Sequence, residues 1–187
     1  MRTRPEEPTA ALAALITGNH QFLADGRGPS AWRPRVDGPE AESEAESEAR
    51  TDGPPTRRGG DSGRPFALVW SREEDVELAG EVFGGGRTGV EVVASLEVVE
   101  AGMLAWGVPL IVVAARLRSR LANLEPAWEV AEARVFDAIR TLLGRGGRSG
   151  AAVVAGRTRI VGALVEDEGG RVHWLGELPE QDRIAAR

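Results

Sequence analysis

The chain has 187 residues, 23 of them basic and 29 acidic, for a formal net charge of −6; the length suits one domain, and the charge gives no electrostatic case for a nucleic-acid partner. With no cysteine and only His20 and His173 as imidazoles, disulfides, thiolate nucleophiles and cysteine-ligated zinc or iron–sulfur centres are excluded. No apolar run reaches the length of a membrane span, and the opening MRTRPEEP lacks the apolar core of a signal peptide, so the expectation is a cytoplasmic protein with no membrane partner.

Pro8 or Thr9 can open a first helix, on which Leu12, Leu15, Ile16, Phe22 and Leu23 recur at helical spacing. Gly18 costs about 1 kcal/mol relative to Ala inside a helix and predicts a break or bend. The helix reads either as an ordinary packing helix or as an arm on another subunit, because a long linker follows it. Between 26 and 63, Pro, Gly, Arg and acidic residues dominate, and 39–49 reads PEAESEAESEA. Trp32 and Val36 are nearly the only large apolar residues there, too few to offset the entropy of ordering. The chain therefore divides into a helical arm (1–25), a disordered Pro/Gly/Glu-rich linker (26–63) and an α/β body (64–187). Without the linker about 150 residues remain, enough to bury roughly 70% of the unfolded surface.

The body opens with FALVW at 66–70, an apolar run that suits a buried parallel strand. Ser71, with Glu74 three residues on, has the capping-box pattern, and the helix it starts should run to about Phe83 and stop at Gly84-Gly85-Gly86. The stretch 90–94 is either a short strand or the lead into the next helix, 95–106. LIVVAA at 110–115 is the clearest buried strand, and 116–123 continues it as loop or helix start. A helix over 127–143 draws its apolar face from Val130, Val135, Ile139, Leu142 and Leu143, and ends at the glycine-rich 144–147. The runs 159–165 and 172–175 flank the turn Asp167-Glu168-Gly169-Gly170 as a β-hairpin. This alternation predicts an α/β fold with a mainly parallel sheet, an antiparallel edge strand and helices on its faces.

In such sheets chemistry gathers at the carboxyl ends of the strands. Beyond Ala115 stand Arg116, Leu117, Arg118 and Ser119. Arg116, Arg118 and Arg120 could bind an anion or pair with carboxylates; pairing is the expectation for Arg118 and Arg120, and Arg116 is left open. His173, between Val172 and Trp174 on a hairpin strand, is expected to face solvent, and His20 to lie on a helix surface. The glycine-rich stretches 84–89 and 144–150 come after helices instead of strands, so they read as helix terminators and not phosphate cradles. A Walker P-loop is impossible because the chain contains no lysine.

Taken in order, several segments resemble the β-class carbonic anhydrases. Leu12, Leu15, Gly18, Asn19 and Phe22 form LxxLxxGNxxF, similar to that family's opening helix. PFALV at 65–69 and Val82-Phe83 resemble its first strand and following helix. SLE at 95–97 and GVPLIVV at 107–113 are closer still, and IVGALVEDEGGRVHWLG at 160–176 is similar to its closing hairpin. The resemblance spans arm and body. It implies a β-carbonic-anhydrase-like fold with a central, mainly parallel sheet, an antiparallel edge strand, flanking helices and an N-terminal helical arm. It also implies zinc, carbonate dehydratase activity and a dimer formed through the arm and sheet region.

That family holds zinc with Cys-x-Asp-x-Arg after the first strand and His-x-x-Cys after the strand matching 110–115. Here an ungapped register puts Arg72 at the first cysteine, Glu74 at the aspartate and Val76 at the arginine, with Arg116 at the histidine and Ser119 at the second cysteine. A one-residue slip in the first motif supplies no thiolate. A catalytic zinc needs three protein ligands and an open position, and a guanidinium offers no lone pair at any accessible pH. The 11 residues between Phe83 and Ser95 are also fewer than the family usually has, which puts the second strand and the substrate pocket in question.

The resulting expectation is a homodimeric member of that family that has lost its zinc site, holds no cofactor and is catalytically inactive, with a structural or regulatory role. In it Arg72 and Arg116 approach the former metal position and pair with Glu73, Glu74 or Asp75. The alternatives are a module that binds a small anion (bicarbonate, carboxylate or phosphate) through Arg72 and Arg116, and an enzyme that keeps residual carbonate dehydratase activity or runs non-metal chemistry on Glu74 or Ser119.

Overall fold

The computed structural model describes residues 7–26, 64–84, 89–118, 120, 124–144 and 148–186. The expected linker from residue 27 onward, Gly85, Gly86 and Ser119 lie outside the described residues. Strands β1 (Ala67–Trp70), β2 (Val90–Val93), β3 (Leu110–Leu117), β4 (Arg159–Glu166) and β5 (Val172–Gly176) form one sheet in the order β2-β1-β3-β4-β5. The first four run parallel, and β5 pairs antiparallel with β4 at the edge. The fold is therefore mixed α/β with a mostly parallel sheet. The undecided stretch at 90–94 is a strand: its valines pair in register with β1, from Ala67 opposite Val90 to Trp70 opposite Val93.

Each strand sends alternate side chains to opposite faces, and helices cover both. On one face lie α1 (Pro8–Ala24) and the segment 73–84, where Ala11, Leu15, Leu78, Val82 and Phe83 pack on Val69, Val112, Ala114, Ala163 and Val165. On the other lie α3 (Leu96–Trp106), α4 (Glu125–Gly144), α5 (Arg148–Val154) and α6 (Gln181–Ala185). There Val99, Met103, Val135, Ile139, Leu142 and Val153 meet Ile111, Val113, Ile160 and Leu164. Burial on both faces explains why β3 and β4 read as continuous apolar runs in the sequence.

The arm belongs to the body of its own chain. Ala11 and Leu15 are fully buried in the shared core. Buried Asn19 donates from Nδ2 to the Gly170 carbonyl at 2.9 Å and accepts from the Val172 N–H at 3.3 Å. Within the chain the helix packs on the body's own core. It also runs unbroken through Gly18, because packing at buried Gly18 and Asn19 overrides glycine's poor propensity.

The capping box at Ser71 does not form. The Ser71 N–H donates to the Val93 carbonyl at 3.1 Å, prolonging the β1–β2 pairing, so the chain turns one residue later with Arg72 at the cap and no side-chain cap bond. In place of one regular helix the chain then makes a 3₁₀ turn (Glu73–Asp75), a single α turn labelled α2 (Val76–Ala79) and a π turn (Gly80–Gly84). By contrast, α3 has ordinary signals at both ends. Ser95 Oγ accepts from the Val98 N–H, and Gly107 closes the helix at φ +58, donating its N–H to the Met103 carbonyl. Val130, expected on the buried face of α4, is 52% exposed. The buried stripe is Ala131, Val135, Ile139 and Leu142, and Val130 precedes it by one position, about 100° around the helix. The short helices α5 and α6 have no counterpart among the elements expected from the sequence. Among the described residues no helix is long and apolar enough to cross a membrane.

Candidate functional site

The sheet places Arg116 at a strand end, where the sequence pattern directs the search for chemistry. β3 and β4 continue together past the end of β1, from Val113 opposite Trp70 to Leu117 opposite Glu166. The chain leaving β1 turns beside these longer strands. Arg116 shares the face of Val112 and Ala114, so its side chain extends toward that turn. Its Nη1 lies 3.6 Å from Oδ1 of Asp75, and its Nε 3.9 Å from Oδ2 of Asp167, the residue after β4. The Asp167 N–H donates to the Leu117 carbonyl at 3.1 Å, which fixes that carboxylate beside the β3 end. One guanidinium thus ties together the ends of three adjacent strands.

Both separations are ion pairs too long to be hydrogen bonds, and the buried Nε of Arg116 has no hydrogen-bond partner. Exposure falls from 30% for the Arg116 side chain to 12% for Asp75 and 8% for Asp167. Burial pushes the Asp75 carboxyl above its ordinary range. The Arg116 guanidinium opposes that rise, Glu74 adds to it, and the Arg116 backbone N–H and Arg72 pull it down. Desolvation wins.

Arg72 is an exposed side chain, 3.8 Å from the carboxylate of Glu74, which is also exposed. Val76 is half-buried at the start of α2. Arg118 is exposed, and Arg120 pairs with Glu168 at 3.7 Å. The donor set at these positions does not fit zinc. Arg72 and Arg116 stand where a cysteine and a histidine would ligate, and a guanidinium has no lone pair to give. Among the described residues no group of three or more His, Cys, Asp or Glu side chains is placed to hold a metal ion.

A second polar pair occupies the α4 face of the same strand ends. His173 is not the solvent-facing residue expected. Its Nε2 is 2.6 Å from Oε1 of Glu166, and its ring meets Trp128 of α4 edge-on, with centroids 5.1 Å apart. His173 lies opposite Leu164 on β4, two residues from Glu166, so the antiparallel register brings imidazole and carboxylate together on the diagonal. His20 lies exposed on α1, as expected.

Sequence reasoning named Asp75 as a partner for Arg116 but missed Asp167, which it assigned to the hairpin turn. Adjacency of β3 and β4 was the signal that would have found it: parallel neighbours bring the residues after their carboxyl ends together. No protein-family model matches this chain, and no curated protein matches it either.

Proposed function

We propose that this chain is a β-carbonic-anhydrase-like scaffold without a zinc site, catalytically inactive, whose role is structural or regulatory. The observation that carries this reading is the position of Arg116. At the strand end where the resembling family has a metal-ligating histidine, this chain has a guanidinium between two carboxylates. An internal ion cluster joins the strand ends where a metal would otherwise do so. The mostly parallel sheet with its antiparallel edge supports the same reading, as does the presence of β2 in a region shorter than the family's.

A second reading, an anion-binding module using Arg72 and Arg116, has one observation in its favour: the unpartnered Nε–H of Arg116. Against it stand the carboxylates of Asp75 and Asp167 beside that guanidinium, which repel an incoming anion.

Elemental analysis of purified protein, a carbon dioxide hydration assay and calorimetric titration with bicarbonate and phosphate separate these readings. The inactive scaffold gives sub-stoichiometric zinc, no acceleration over buffer and no heat of anion binding. Stoichiometric zinc accompanied by hydratase activity overturns it. Saturable anion binding that disappears in Arg116→Ala would establish the second reading instead.

A further inference from the structure

We draw no further inference here: the strongest candidate, the apolar surface that Leu104 of α3 and Val154 of α5 expose on the outer side of the helical layer, carries nothing because nothing in the structure shows what covers it.

Discussion

Arg116 brings one positive charge to two carboxylates, and most of all three groups is shielded from water. Burial, with Glu74 adding to it, holds the Asp75 carboxyl above the ordinary value of 3.8 despite the nearby guanidinium. A carboxyl raised in this way holds its proton more tightly in the folded chain than in the unfolded one. Its contribution to stability is therefore complete below the unfolded value and is lost as pH rises through the folded value. Asp75→Asn keeps the shape and removes the titration. As pH rises from below 3.8 into the range just above it, the native chain should lose stability relative to the Asn variant. Urea unfolding across that range measures the difference, and parallel curves for the two proteins would assign the dependence to another group. Removing the cation instead takes from both carboxylates the positive charge they share. Arg116→Ala should cost on the order of 2 kcal/mol at neutral pH, below the usual figure for a fully buried pair because the guanidinium is partly solvated. The loss should be smaller in the Asp75→Asn background, and a double-mutant cycle with no coupling would refute the pairing. At this scale the site was half legible. The strand-end position of Arg116 could be read from the apolar run before it, whereas its pairing with Asp167 depends on which strands are neighbours.

At the scale of elements, α1 is joined to the β4–β5 hairpin by one amide. Asn19 satisfies a carbonyl at the turn and an N–H at the start of β5, both buried. Replacing it with Ala leaves those backbone groups unpaired, and an unsatisfied buried group costs about 1–3 kcal/mol. Asn19→Ala should therefore destabilise the protein by about 2 kcal/mol, with amide hydrogens of α1 losing protection before those of β3. Unchanged exchange in α1 would show that the apolar contacts of Ala11 and Leu15 hold the helix by themselves. The fit at this junction is close. Gly170, at φ +67, leaves so little room that an added Cβ would lie 2.5 Å from the Phe22 ring. Elements with signals at both ends were the ones legible in the sequence. Ser95 and Gly107 bound α3, and the apolar run from Leu110 marks β3. The segment 73–84 was not legible, because the Ser71 N–H is taken by Val93 on β2, a strand that itself becomes evident only once it pairs. Local pattern showed a capping box; tertiary hydrogen bonding decided otherwise.

For the whole molecule, the sheet is held from both faces by apolar helices, and the ends of its three central strands are tied by side chains of the chain itself. Phe83 and Leu15 close one core, Ile139 and Leu142 the other. A protein whose fold includes a structural metal loses that binding energy when the metal is stripped. If the Arg116 cluster is what joins the strand ends, prolonged dialysis against a strong chelator should leave thermal unfolding in place. The midpoint should move by less than about 2 °C, which for a chain of this size corresponds to less than about 1 kcal/mol. Zinc added back in excess should not raise it, because Arg72 and Arg116 offer guanidinium groups, without a lone pair, where a cysteine and a histidine would be needed. A fall of many degrees on chelation, reversed by zinc, would mean that other groups hold a metal and that the ion cluster is not the tie. Comparing the same chelator treatment on Arg116→Ala sharpens the test. That variant should start from a lower midpoint and still be indifferent to the chelator, because what it has lost is a charge and not a ligand.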